Sequence, residues 1–307
     1  MSAEVTVCIV AYNSALVLPD CLASIPLSCN IMLYDNASMD DSISVALRIR
    51  PDIEVIRGDV NLGFGGGHNR LLSRVKTPFA LVLNPDTVLS PLAINQFVNV
   101  AQLNPNAAII GAAHTDGEGH VQPSHKPDYT YYSRWAPLHR PDLLPAHIKT
   151  IKHWPAIQGH ACVDMVSGAA MFLRMSLFKG MGFFDPKIFL FFEDDDLCAR
   201  VRQAGFNVLY DANILITHLG GQGARPSWRG TLFKQKHYAW SRLYMYQKYT
   251  SGYGHAPSLR SVLKKDAAKY LRRLLRSVFT FNQHAVAKNL GGLLGVLAYR
   301  QQPYRAP

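Results

Sequence analysis

The sequence predicts an α/β protein with a mostly parallel central sheet flanked by helices, extended at its C-terminus by basic helices. Three observations predict it. Short continuous apolar runs alternate with helically spaced segments over the first 115 residues, and polar groups recur directly after those runs. Beyond Trp228 the apolar positions return at intervals of three and four, with basic residues between them.

The apolar runs are Val5–Val10, Ile31–Tyr34, Glu54–Ile56, Phe79–Leu83 and Ala107–Gly111. Helical spacing falls on Leu16–Ile25, Asp41–Arg48, His68–Arg74 and Pro91–Leu103. Strands that are apolar throughout suit a sheet covered on both faces, as parallel sheets are. Such sheets bind ligands beyond the carboxyl ends of their strands. At those ends this chain has Tyr12-Asn13, Asp35-Asn36 and Asn84-Pro85-Asp86. Residues 114–161, rich in His, Pro, Tyr and Trp, read as an irregular excursion of the kind that forms lids or substrate-binding elements. Regular structure resumes at Val163–Leu173, with a helix over Asp194–Ala204 and strands at Asn207–Tyr210 and Ile214–Thr217.

Composition narrows the function. With 307 residues and 48% hydrophobic side chains the chain can bury a large core, and 17% charged residues argue against wholesale disorder. The net charge of +11 is uneven: residues 1–250 carry 22 basic and 20 acidic groups, residues 251–307 ten and one. Positive charge confined to one end, with no RNA- or DNA-binding module, excludes a nucleic-acid partner. Five cysteines without a Cys-x-x-Cys pair read as reduced structural thiols. The first residues lack the features of a signal peptide, and no stretch approaches the roughly 20 apolar residues of a membrane span. The expected location is cytoplasmic.

Five segments carry chemistry. Asp35 stands at a strand end before any plausible helix cap, where its carboxylate could accept the imide N–H of uracil or thymine; Ser38 or Asp40 would serve as caps. Asn61–Arg70 contains three successive glycines, which permit positive φ and close backbone approach to a ligand, or form a plain tight turn. The cluster matches neither a dinucleotide fingerprint nor a P-loop. Pro85 presents Asp86 outward as an oxygen ligand for Mg²⁺ or Mn²⁺, or as a cap for the helix near Pro91. Glu193-Asp194-Asp195-Asp196 follows four apolar residues; four adjacent carboxylates repel one another unless a cation or basic partner lies near. Asp194 would face the cleft while Asp195 and Asp196 cap the helix or meet basic partners. His218, ahead of a glycine-rich loop, is the best nitrogen candidate for a metal, though a lone histidine is more often a surface group.

In order along residues 5–223, these segments together with Val166–Ala170 resemble the family 2 inverting glycosyltransferases of GT-A fold, in their bacterial rhamnosyltransferase-like branch. The resemblance implies a catalytic domain over residues 1–225, with a nucleotide-sugar half (1–112) and an acceptor half (113–225), followed by a helical region (226–307). It implies that Tyr12, Asp35 and Asn69 line the nucleotide pocket, with Ala11, Asn13, Asn36, Gly65, Gly66 and Asn84 from the same motifs. Asp86 corresponds to the terminal acid of the family's metal-binding element, with Asn84 in place of its first acid. His218 completes the metal site, and Asp194 is the catalytic base. Gly168 and Ala169 floor the acceptor site, beside Glu193 and Asp196. A nucleotide-sugar donor, best guess dTDP-L-rhamnose, and a saccharide acceptor follow. UDP-sugar transfer and non-catalytic nucleotide-sugar binding are the alternatives.

In the tail, Leu259, Val262, Leu263, Ala267, Tyr270, Leu271, Leu274, Leu275 and Val278 trace one stripe, while Lys264, Lys265, Arg272, Arg273 and Arg276 fill much of the remaining surface. This pattern predicts a helix lying on an anionic membrane at the inner face of the cell membrane. The acceptor would then be a lipid-linked saccharide of cell-surface polysaccharide or lipopolysaccharide synthesis. The alternative is a packed helix with a charged outer face. Leu290–Tyr299 would deepen the contact or form a dimer surface.

Overall fold

The computed structural model describes residues 4–126, 157–178, 180–220, 227–250 and 257–301. Most of the 114–161 excursion, and the loop after Gly220, therefore lie outside the described residues. Two compact units are present, and the short segment Ile188–Phe192 groups with the C-terminal helices rather than with its sequence neighbours.

In the first unit β1 (Val5–Ala11), β2 (Asn30–Asp35), β3 (Glu54–Arg57) and β4 (Phe79–Leu83) are parallel, ordered β3-β2-β1-β4. Helices α1 (Leu18–Ala23), α2 (Ser42–Ile49) and α3 (Gly63–Leu72) connect them. β1 and β4 are buried at every position, as their unbroken apolar sequence requires. After β4 come the short β5 (Thr87–Leu89), α4 (Ala93–Leu103) and β6 (Ala107–Thr115), then β7 (Val121–Gln122) and β8 (His125–Lys126). β9 (His160–Cys162), β10 (Met165–Val166) and β11 (Ala170–Arg174) follow; β11 runs antiparallel between β4 and β6. Helix α5 (Glu193–Gln203) leads to β12 (Asn207–His218), parallel to β6 and antiparallel to β5. The two runs expected as separate strands, Asn207–Tyr210 and Ile214–Thr217, are one strand with a register shift between Asp211 and Leu215.

The glycine cluster departs from expectation. Gly65, Gly66 and Gly67 lie inside α3, and only Gly63 has a left-handed φ, of 75°. A Cβ on Gly65 would meet Phe184 Cβ at 2.7 Å, and one on Gly67 would meet both Val10 γ-carbons at 2.8 Å. These glycines let the helix lie close on β1 and Phe184, so close packing explains them rather than loop geometry.

The second unit contains α6 (Trp228–Thr250), α7 (Leu259–Phe279) and α8 (Gln283–Gln301), built around Tyr244, Val262, Tyr270, Val296 and Tyr299. Among the described residues no helix is long and apolar enough to cross a membrane. The stripe read along α7 divides. Val262 and Tyr270 are buried, Leu259, Leu263 and Ala267 pack against the same core, and Leu271, Leu275 and Val278 are exposed. The packed-helix alternative thus holds for part of the stripe. Gly291 and Gly295 of α8 lie against the α6 backbone at Leu232 and Lys236, and Gly292 against the Tyr270 ring. Much of the apolar piece expected to deepen a membrane contact or form a dimer surface is therefore used inside the unit.

Candidate active site

Strand pairing assembles one edge. Ala11 stands opposite Asp35 and Ile9 opposite Leu83, while Ala170, the first residue of β11, stands opposite Leu83 from the other direction. The carboxyl ends of β1, β2 and β4 therefore lie beside the segment Gly168-Ala169. The pairing of His218 with Thr87 brings the end of β12 to the β4–β5 turn.

At the β1–β2 end, Tyr12 is half exposed and Asp35 is buried, its carboxylate accepting the Ser38 N–H at 3.4 Å. The neighbouring amides are engaged with the protein. Asn13, with a left-handed φ of 51°, accepts the Met39 N–H through its side chain at 2.8 Å. Asn36 accepts from Leu62 N–H at 2.7 Å and donates to the Gly63 carbonyl at 3.1 Å. Asn69 donates to the Phe184 carbonyl at 2.8 Å and accepts its N–H at 3.0 Å. Asn36 and Asn69, expected on the nucleotide, each use one donor and their oxygen to fix α3 to the loops beside it. Of the two expected caps, Asp40 accepts the N–H of Ser42, the first residue of α2, and that of Ala15, whereas the Ser38 hydroxyl accepts the Asn13 N–H.

At the β4–β5 turn, Asp86 is buried and its Oδ1 lies 3.3 Å from His218 Nε2, with the Asn84 side-chain nitrogen 3.4 Å from the same atom. Helix α4 has no side-chain cap, so Asp86 does not serve as one. His218 is not the isolated histidine the sequence suggested. The His114 ring stands edge-on at 5.8 Å, and burial, followed by the charge of His218, pushes its pKa down to about 3. Among the described residues no three His, Cys, Asp or Glu side chains cluster as a complete metal cage. One carboxylate, one imidazole and a neighbouring carboxamide suit Mg²⁺ or Mn²⁺ only when further oxygens, such as those of a diphosphate, complete the shell.

The four acids of α5 have four fates. Glu193 is buried with Oε2 unpartnered, and burial, reinforced by the charge of Asp194, pushes its pKa up to about 8. Asp195, buried, pairs with Lys126 at 2.8 Å, and Asp196, fully buried, with Arg200 at 2.8 Å. Asp194 alone of the four is not buried. Its Oδ2 accepts the Gly168 N–H and its Oδ1 the Asp195 N–H, both at 2.9 Å. A Cβ on Gly168 would stand 3.3 Å from that of Asp194, so a larger residue would crowd the carboxylate. The basic partners expected for Asp195 and Asp196 are present. Glu193 and Asp196 are not surfaces an acceptor could touch, because burial withdraws both.

Ala169 is buried, and its carbonyl accepts the Asn84 N–H at 2.9 Å, linking the β4 turn to the residue beside Gly168. Two features escaped sequence reading. Lys126 meets Asp195 across 69 positions of sequence, which no local signal reports. Phe191 and Phe192, directly before α5, have left-handed φ values of 67° and 75°, unfavourable for bulky side chains. Within the helical unit Tyr238 packs on both rings and the Ser241 hydroxyl donates to the Leu190 carbonyl at 2.9 Å.

Residues 6–178 match the family model described as Glycosyl transferase family 2. The N-acetylglucosaminyl-diphospho-decaprenol L-rhamnosyltransferase of Mycobacterium tuberculosis is 24% identical over 62% of this chain, a match spanning 66% of that relative. The low-salt glycan biosynthesis hexosyltransferase Agl10 of Haloferax volcanii is 27% identical over 55% of this chain and 54% of its own. In fold, the chain is similar to the mannosyltransferase PcManGT of Pyrobaculum calidifontis, solved with GDP-Man and Mn²⁺, at TM-score 0.56 and 13% identity over 99% and 89% of the two chains. It is also similar to S. aureus TarS 1-349, at TM-score 0.51 and 13% identity over 98% and 93%.

Proposed function

This chain belongs to glycosyl transferase family 2, and from that premise we propose that it is an inverting glycosyltransferase using a nucleotide sugar, with Asp194 as general base. The observation that carries the proposal is the isolation of Asp194. Of four consecutive acids it alone is accessible, and two backbone N–H groups orient its two oxygens. Asp194 would take the proton of an acceptor hydroxyl as that oxygen bonds to the anomeric carbon. The bond from that carbon to the nucleoside diphosphate breaks on the opposite face, which inverts the centre. No protein nucleophile is needed.

Asp86, His218 and the Asn84 carboxamide would hold Mg²⁺ or Mn²⁺ against the diphosphate. Such an ion neutralises charge on the leaving group. Tyr12, exposed beside the buried Asp35, would receive the base. The relative named as an L-rhamnosyltransferase acting on N-acetylglucosaminyl-diphospho-decaprenol supports L-rhamnose as the sugar and a lipid-linked saccharide as the acceptor.

The test pairs turnover with binding. Asp194→Asn is expected to lower transfer by more than about a hundredfold while leaving nucleoside diphosphate affinity intact. Retention of over a tenth of wild-type turnover would place the base elsewhere. A panel of dTDP-, UDP- and GDP-sugars reads the donor, and preference for GDP would refute the role of Asp35.

A further inference from the structure

The outer side of α7 carries apolar and cationic groups, and its last turn holds an anomaly. Leu271, Leu275, Val278 and Phe279 are exposed and, at helical spacing, lie away from the inward stripe of Val262, Asp266, Tyr270 and Ser277. Lys264, Lys265, Arg272, Arg273 and Arg276 are exposed on the same helix. Its one acid, Asp266, is buried and paired with Arg242, so the helix itself sets no carboxylate among those cations.

The helix then ends in a Schellman turn. The Phe281 N–H reaches the Val278 carbonyl and the Asn282 N–H the Ser277 carbonyl, each at 3.1 Å. The left-handed position of that turn, where glycine is preferred, is occupied by Phe281 at φ 51°. Phe279 is 81% and Phe281 91% exposed, so burial within the protein compensates neither the strained backbone nor the hydrated rings. A bulky aromatic in a left-handed conformation and offered to solvent suits an apolar occupant outside the chain. The surrounding cations specify an anionic one, and because they run along several turns of helix they match a plane of charge.

We propose that the C-terminal half of α7 and the Phe281 turn form an interfacial anchor for an anionic lipid bilayer. Phe279 and Phe281 enter the acyl boundary, with Leu275 and Val278 beside them. Arg272, Arg273 and Arg276 contact the headgroups, while the apolar face enters to the depth of about 5–10 Å usual for interfacial helices. This reading is independent of the transfer chemistry, and its test uses no turnover.

The experiment is co-sedimentation of the full chain with vesicles of phosphatidylcholine alone and mixed equally with phosphatidylglycerol, at low and high salt. Binding is expected to the mixed vesicles at low salt. Replacing Arg272, Arg273 and Arg276 by Gln is expected to weaken it about a hundredfold, near fivefold per charge. Phe281→Gly supplies the sharper arm, since it relaxes the turn while removing the ring. It is expected to raise Tm by a few degrees and to lower vesicle affinity at least tenfold. A merely structural Phe281 would lose stability and leave binding unchanged. No sedimentation with anionic vesicles overturns the proposal, as does unaltered binding of the Arg or Phe281 variants. So does a protein dimer, seen without lipid, that Phe279→Ser dissociates.

Discussion

At the scale of single residues, the start of α5 shows how like charges are placed side by side. Lys126 and Arg200 neutralise Asp195 and Asp196, and burial keeps Glu193 protonated, which leaves the charge of Asp194 uncontested. The pKa of Glu193 is raised from 4.5 to about 8. A carboxyl whose folded pKa lies above its unfolded one contributes its full stability below the unfolded value and loses it as pH rises through the folded value. Glu193→Gln is therefore expected to match wild type in Tm near pH 4 and to exceed it increasingly toward pH 8, by calorimetric scanning. Equal Tm values across that range would mean the carboxyl is solvated. At the metal candidate, Asp86→Ala and His218→Ala are each expected to weaken Mn²⁺-dependent nucleoside diphosphate binding at least tenfold. Titration calorimetry with and without Mn²⁺ checks this, and unaltered Mn²⁺ dependence in both variants would move the ion to other ligands.

Among the elements, α3 depends on the absence of side chains. An exposed glycine in a helix gains about 1 kcal/mol on replacement by alanine. Gly67 faces Val10 with no room for a methyl group. Gly67→Ala is thus expected to destabilise by about 1–3 kcal/mol, the usual effect of overpacking. Urea unfolding measures the sign, and a stabilised variant would show that α3 can lift from β1. The same logic governs α8, where Gly295 lies against the Lys236 carbonyl. In both helices the glycines set how closely neighbouring backbones approach.

For the whole molecule, burial is deepest along β1, β4 and β6, whereas β3 at the sheet edge is only partly covered. Local opening follows burial and backbone pairing. Native-state hydrogen exchange is expected to be slowest in β1 and β4 and, among the four parallel strands β1–β4, fastest in β3; comparable protection in β3 would contradict this ranking. Charge is distributed as unevenly as burial, with a nearly neutral first 250 residues and a strongly basic end. Salt should accordingly act on the proposed lipid contact of the tail far more than on the buried pairs at α5.

Much of this was legible in the order of residues alone. Continuous apolar runs announced the parallel strands, and the acids following Phe79–Leu83 and Phe189–Phe192 marked the segments that carry Asp86 and Asp194. Hydrophobic periodicity is local, and so are the polar groups that end a strand. The remainder depended on contacts distant in sequence. The pairing of β12 with β5 set His218 beside Asp86, and Lys126 claimed Asp195. Phe184 engaged one donor and the oxygen of the Asn69 carboxamide, tying it to the protein. Which of four adjacent acids stays accessible is a matter of burial, and burial is a property of neighbours that folding alone supplies.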